Sequence, residues 1–396
     1  MLETSATGAA GPRAFLRVGG ISVARQQLAL ALALDCKRIV CIARGLPPEL
    51  VDVQHAAERA GAQFNAVPGA RQLVGLITAA DDVILIGDGL FAAIPEAAAL
   101  LEKGPAVLVQ PIEQGLAAGF ERIDLKAASG GAMRVPGRLV ERLAELPDDC
   151  DAYSALQRIA LQAGVNQRAI PAAGAGGSLW VLVRGEDEAH ALEPRWIRDR
   201  IASEIPAGPG QWLARGAVRS FGPALLHAGS GSGIVIAAAV VLAAFGLGAG
   251  WFGLGPFGLA LCGLGWLTRQ AGVLLGRIEQ PLGGEERLAG LRREIYGWGL
   301  DAVIVVITAW SSVIEPGQGL LHRFFPPLML IALLRILPRL SGQRWAGWLE
   351  DRLVLGLVLG AAVLAGVGSE VVHGGALFLA LVGIALPRAE LRLTRP

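Results

Sequence analysis

The strongest chemical signal in this chain lies at the end of an apolar run, Asp81-Asp82-Val83-Ile84-Leu85-Ile86-Gly87-Asp88-Gly89. A buried strand that ends in Gly-Asp-Gly sets a carboxylate at the carboxyl edge of a sheet, where α/β proteins bind ligands. Asp88 is therefore the candidate for a divalent metal, Mg²⁺, bridging nucleotide phosphates beside Gly87. Asp-Gly is also a common turn dipeptide, so the turn reading stands beside the metal one. In the second half, Glu294 and Asp301 fall two helical turns apart on one face. Asp301 lies within an apolar stretch, where an ionisable group marks function. The pair is the candidate catalytic set, with Arg269 and Arg277 as phosphate or headgroup contacts. Cys36, Cys41, Cys150 and Cys262 show no CxxC spacing, and the five histidines are scattered. Neither a zinc site nor a disulfide framework is expected.

The elements that position these residues fall into two halves. Of 396 residues, 53% are hydrophobic and 17% charged, less charged than ordinary soluble domains. That length suggests two domains or more. A net charge of +1, with no basic run, excludes a nucleic-acid partner as the expectation. Met1–Gly11 is small and polar without a signal-peptide core, so the first domain is expected on the cytoplasmic side.

Residues 1–190 read as an α/β domain. Helical periodicity over Ser22–Leu34, Pro47–Ala60, Pro136–Leu146 and Tyr153–Ala163 alternates with short apolar runs. The runs are Arg38–Ala43, Gln63–Val67, Val83–Ile86, Ala106–Val109, Phe120–Leu125, Gly131–Val135 and Leu179–Val183. This alternation predicts a mostly parallel sheet covered on both faces. Residues 191–232 mix Arg195, Arg198, Arg200, Arg215 and Arg219 with Trp196, Trp212 and Phe221, the pattern of an interfacial amphipathic linker.

Residues 233–396 hold six apolar stretches: Gly233–Leu254, Pro256–Gly276, Gly297–Ile314, Gly319–Leu337, Leu353–Gly368 and Gly374–Leu386. They predict an all-α six-helix transmembrane bundle. Arg277, Arg287, Arg292, Arg293, Arg335, Arg339, Arg344, Arg352, Arg388, Arg392 and Arg395 follow the even spans or the last, against Arg323 alone on the other side. That bias predicts a multi-pass protein of the bacterial inner membrane with both termini cytoplasmic.

Two resemblances join these readings. Arg17-Val18-Gly19-Gly20-Ile21-Ser22-Val23-Ala24-Arg25, then Cys36-Lys37-Arg38-Ile39-Val40, resembles the opening of sugar-phosphate and molybdenum-cofactor nucleotidyltransferases. Gly87-Asp88 resembles their metal-binding strand end, and Gly130-Gly131-Ala132-Met133-Arg134-Val135-Pro136 their later strand-to-helix segment. The resemblance implies CTP as ligand, with Gly19, Gly20, Arg25 and Gly87 at the nucleotide. Such enzymes begin with a strand and a Gly-rich phosphate loop; this chain has Thr7-Gly8-Ala9-Ala10-Gly11-Pro12-Arg13, with no apolar strand before it. The membrane half resembles CDP-alcohol phosphotransferases, and the whole chain resembles natural fusions of the two. The phosphotransferase pattern, Asp-Gly-x-x-Ala-Arg then Gly-x-x-x-Asp-x-x-x-Asp, is replaced here by Thr268-Arg269-Gln270-Ala271-Gly272-Val273 and by Gly290 to Asp301.

The expectation is thus a divergent, catalytically degenerate relative of such fusions in lipid headgroup or phosphodiester biosynthesis, with membrane lipid, CTP or a CDP-alcohol as partners and a homodimer by resemblance. The alternative is a non-catalytic membrane scaffold or regulator that binds a nucleotide, a lipid or an active paralogue. A small transporter is the third reading.

Overall fold

The computed structural model describes residues 12–147, 150–171, 179–202, 206, 208–227, 231–279, 286–312, 319–341 and 346–385. The chain divides into two units, one running to Trp196 and the other from Ile197 onward. Thr7–Gly11, Arg344 and the arginines of the tail lie outside the described residues.

The first unit opens on a hairpin of β1 (Arg17–Val18) and β2 (Ile21–Ser22). Gly19 and Gly20 form its two-residue turn with φ of 59° and 81°, which glycine adopts without a Cβ clash. Helix α1 (Val23–Ala33) starts where the Ser22 hydroxyl accepts from the Arg25 amide at 3.3 Å. Strand β3 (Arg38–Ile42), helix α2 (Pro48–Arg59) and strand β4 (Gln63–Val67) follow. Pro48 sits in the first turn of α2, and Gly61 at φ +84° ends it. β3 and β4 pair in parallel, Arg38 opposite Gln63 through Ile42 opposite Val67.

Next come β5 (Asp82–Ile86), β6 (Leu90–Ala92), α3 (Ile94–Leu101), β7 (Ala106–Pro111), α4 (Ile112–Ala117), β8 (Ala127–Pro136), α5 (Ala152–Gln162), β9 (Gln167–Ala169) and β10 (Trp180–Leu182). Four of them make a sheet in the order β5-β8-β7-β9. β8 runs antiparallel to both neighbours and only β9 is parallel to β7, so the expected mostly parallel sheet is small and mixed. Apolar runs mark a buried strand but carry no direction, which is why the sequence pattern missed this. The expected strand Phe120–Leu125 is a turn: the Asp124 carboxylate accepts the amides of Lys126 and Ala127 at 2.7 and 2.8 Å. The expected helix at Pro136–Leu146 is a 3₁₀ segment, Gly137–Glu145.

The second unit is helical: α7 (Pro209–His227), α8 (Gly231–Trp251), α9 (Gly255–Glu279), α10 (Glu286–Ser311), α11 (Leu320–Ser341), α12 (Ala346–Leu349), α13 (Arg352–Leu364) and α14 (Gly368–Ala385). α6 (Glu186–Ala202) contains the division between the units. Among the described residues, four helices are long and apolar enough to cross a membrane: α8, α9, α11 from Leu320 to Leu340, and α14. The other two expected spans are helices as well, but α13 has 13 residues and α10 carries a charged first half. Ile234, Val240, Phe245, Phe257, Leu328 and Leu377 are exposed along these helices. Apolar exposure on this scale is that of a lipid-facing surface.

Close glycine contacts bind α9 to its neighbours. A Cβ on Gly258 would lie 2.5 Å from the Gly246 carbonyl of α8, and one on Gly265 would lie 3.0 Å from the Ala239 carbonyl. A Cβ on Gly272 would lie 2.9 Å from the Ile236 side chain on the same line. Gly258, Gly265 and Gly272 recur every seven residues, a small-residue stripe that lets two membrane helices pack backbone to backbone.

Candidate functional site

In the first unit, a cavity of about 570 Å³ is lined by residues of β3 and β5 and by Gly87 and Asp88. Gln27 of α1, also in its lining, donates to the carbonyls of Gly87 at 2.9 Å and Leu90 at 3.0 Å. The Gly87 amide donates to Gly131 at 2.7 Å, and Gly89 turns the chain at φ +80°. Asp88 is half-buried at the carboxyl end of β5, and Arg13, Glu121, Asp151 and Ser154 share the cavity wall. On the wall behind them, the Ser129 hydroxyl donates to Gln157 at 2.9 Å and accepts from the Gly131 amide at 3.1 Å. Tyr153 lies 3.2 Å from the same hydroxyl, and burial pushes its phenol well above the usual range.

Of the expected nucleotide residues, Gly87 and Asp88 line this cavity, whereas Gly19, Gly20 and Arg25 are not among its lining residues. Gly19 instead donates its amide to the buried carboxylate of Glu193 at 3.2 Å. Among the described residues, no three His, Cys, Asp or Glu side chains converge as a metal cage. Mg²⁺ at nucleotide sites needs only one or two carboxylates, the phosphates supplying the rest, so Asp88 fits as a single protein ligand. Gln27, Glu121, Tyr153 and Ser154 escaped sequence reasoning because they come from separate elements with no shared motif.

The second unit buries a charged cluster. Asp301 of α10 is 3% exposed and holds two arginines. Arg352, at the first turn of α13, donates through Nε to Oδ1 at 2.7 Å and through a terminal nitrogen to Oδ2 at 3.1 Å. Arg335 of α11 donates through Nε to the same Oδ2 and lies 3.9 Å above the Trp298 ring. These contacts correct the loop assignment of both arginines, since Arg335 lies inside α11 and the Arg352 side chain is buried. Three helices thus meet on one carboxylate, the bidentate geometry that makes Arg–Asp pairs strong.

Asp351 is the second buried carboxylate here. Its Oδ1 caps α13 by accepting from Leu353 and Val354 at 3.1 and 3.3 Å, while Oδ2 accepts the Gly210 amide in the first turn of α7 at 2.6 Å. One side chain therefore serves two helix N-termini, each with its positive dipole end toward the carboxylate. Arg269 is buried and lies 5.0 Å above the Tyr296 ring. Glu294 and Arg277 are exposed, and Glu294 is not part of the Asp301 cluster. Sequence spacing found Asp301 but could not reveal partners 34 and 51 residues away. Compared with known proteins, the chain matches no family model and no curated sequence.

Proposed function

We propose that this chain is a bacterial inner-membrane protein of lipid headgroup or phosphodiester biosynthesis, a fused nucleotidyltransferase-like and CDP-alcohol-phosphotransferase-like protein whose membrane half binds without transferring. In this reading α10 and α13 join the four long apolar helices as six spans, with both termini cytoplasmic. The α/β unit takes CTP with Mg²⁺ at Asp88, and the membrane half faces lipid.

One observation carries the reading. The two carboxylates buried in the helical unit, among the described residues, are both consumed by structural partners: Asp301 by Arg335 and Arg352, Asp351 by three backbone amides. Two-metal phosphotransfer needs several carboxylates whose oxygens reach the cations. A carboxylate already bonded to two guanidiniums has no oxygen to give without leaving a buried arginine unpaired. The same observation favours the second reading, a scaffold or regulator that binds an active paralogue.

The test is calorimetric titration of the detergent-purified full chain with CTP and Mg²⁺, beside Asp88→Ala. Micromolar binding that is lost in the variant supports the nucleotide-binding reading. A folded protein that binds no CTP, and co-purifies with a homologue carrying the full aspartate signature, moves the assignment to the scaffold. CDP-alcohol turnover by the purified chain alone would overturn the non-transferring membrane half.

A further inference from the structure

Two arginines share one carboxylate in the charge cluster of the helical unit. Among the described residues, Asp301 is the carboxylate that both Arg335 and Arg352 contact, so one negative charge stands between two positive ones. Arg352 spends its whole fork inside the protein. Its Nε and one terminal nitrogen bond Asp301, and the other terminal nitrogen donates to the Leu349 carbonyl at 2.7 Å. Arg335 is placed differently: its Nε holds Asp301, while the Trp298 ring covers one face of the guanidinium at 3.9 Å. A guanidinium stacked on a ring and tied at Nε offers its in-plane terminal N–H groups to a further partner. One of these nitrogens lies beside Gly297, where an added Cβ would stand 3.4 Å from it, so glycine keeps that edge clear of a side chain from position 297.

Arg335 sits where the cluster meets the outside of the helical unit. Its side chain is 17% exposed, and Arg339, one turn further along α11, is exposed. Phe325, Met329, Ile336 and Leu340 form an exposed stripe at helical spacing on the same helix, with exposed Ile295 and Trp298 beside its end on α10. The two helices are held side by side at two levels, by Asp301 with Arg335 and by Arg323 donating through Nε to the Ala309 carbonyl. An apolar track that ends at two guanidiniums has the layout of a phospholipid, acyl chain below and phosphate above.

The depth of the cluster fits a headgroup. The apolar stretch of α11 ends at Leu340, five residues or about 7.5 Å beyond Arg335. α13 starts at the same carboxylate and has 13 residues, about 20 Å of helix against a hydrocarbon core of about 30 Å. A span that short draws the bilayer surface toward itself, which lowers the phosphate level toward Arg335. Trp298 and Trp348, the latter four residues before Arg352, are exposed near this level, and tryptophan favours the boundary between lipid tails and water. Glu294, an exposed carboxylate on α10, lies about 10 Å from Asp301 toward the helix start.

We propose that the α10–α11 face binds an anionic membrane phospholipid, with Arg335 and Arg339 on its phosphate, Trp298 beneath Arg335 and the apolar stripe along an acyl chain. Guanidinium and phosphate match as a charge-assisted, forked pair. A lipid of net negative charge neutralises the second arginine of the cluster, whereas a zwitterionic lipid brings its own ammonium and restores the imbalance. The site deepens the membrane reading of the helical unit, on which it rests, and is separate from CTP at Asp88.

The test reconstitutes the full chain in vesicles of equal parts phosphatidylglycerol and phosphatidylcholine with the same acyl chains. The protein is then extracted in mild detergent, and the retained lipid is counted by native mass spectrometry. A basic residue near an anionic leaflet contributes about a fivefold preference, so the pair predicts about twenty-five-fold enrichment of phosphatidylglycerol, one per chain. Arg339→Gln, at an exposed position, should lose about fivefold of it, and so should Arg335→Gln, which leaves Asp301 paired with Arg352. Arg219→Gln, the same charge change on the exposed side of α7, should keep the enrichment. Equal retention of the two lipids by the parent, enrichment unchanged in Arg339→Gln, or equal loss in Arg219→Gln would overturn the proposal. Extraction as a dimer without bound lipid would overturn it too, since the face then belongs to a second copy. A chain that never enters the vesicles sinks the membrane reading itself; one that enters and shows no enrichment sinks this site alone.

Discussion

Replacing Asp301 with leucine removes the only carboxylate that, among the described residues, the arginines of the buried cluster contact. The side chains of Asp301, Arg352 and Arg335 are 4%, 7% and 17% exposed, so Arg352 has little access to water while Arg335 keeps somewhat more. Stripping the partner from a buried ion pair costs about 3–5 kcal/mol. Because Arg335 retains the Trp298 face and some solvent, the lower end applies, about 3 kcal/mol, or more than a hundredfold in the folding equilibrium. The triple variant Asp301→Leu/Arg335→Leu/Arg352→Leu leaves no charge to desolvate and should fall within about 1 kcal/mol of the parent, or exceed it. Unfolding in mixed micelles with increasing SDS, followed by tryptophan fluorescence, measures both. A single variant that loses less than about 1 kcal/mol, or a triple variant no more stable than the single, would refute the view that the cluster is a desolvated charge triad.

Asp351→Ala removes the cap of α13 and the acceptor of the Gly210 amide together and should cost about 2–4 kcal/mol in the same assay, with Asp351→Asn losing less. Gly258→Ala, whose Cβ would meet the Gly246 carbonyl at 2.5 Å, should cost about 1–3 kcal/mol. Gly248→Ala on the open side of α8, with nothing within 4 Å, should be neutral or gain up to about 1 kcal/mol. In the first unit, the amide and hydroxyl of Thr78 hold the Asp81 carboxyl below its usual range. A carboxylate whose folded value is depressed stabilises fully above the unfolded value and loses that contribution as pH falls through the folded one. Stability measured from pH 5 downward should therefore fall less steeply in Asp81→Asn than in the parent.

Periodicity made much of the fold legible. The helices expected over Ser22–Leu34 and Pro47–Ala60 and the apolar stretches of the second half each correspond to a helix at about the expected place. Strand direction was not legible, because Val83–Ile86 and Gly131–Val135 look alike as apolar runs although they pair antiparallel. Phe120–Leu125 misled because one Asp124 side chain satisfies two amides and turns the chain, a choice that hydrophobicity does not record. The candidate site was half legible. Gly87-Asp88 and Asp301 stand out by local context, but what surrounds them depends on long-range packing. Arg335 and Arg352 read as loop charges because counting charges between apolar stretches cannot distinguish a solvated arginine from one that reaches back to a carboxylate.

The glycine stripe on α9 also bears on how the protein is built into a bilayer. α9 holds Arg269, and the mean hydropathy of its 18-residue apolar window, 1.2, is well below the 2.3 of α8. An arginine at the centre of a lone helix costs about 2.5–3.5 kcal/mol during translocon-mediated insertion. Only three residues, Phe252 to Leu254, separate the two helices, and Glu279 at the far end of α9 accepts the Ser232 amide at 3.0 Å, closing the hairpin. The stripe thus lets the more apolar helix carry the weaker one across as a single hairpin. The unit of biogenesis is the pair, and a defect at Gly258 or Gly265 would surface first as failed insertion rather than as a loosened finished fold.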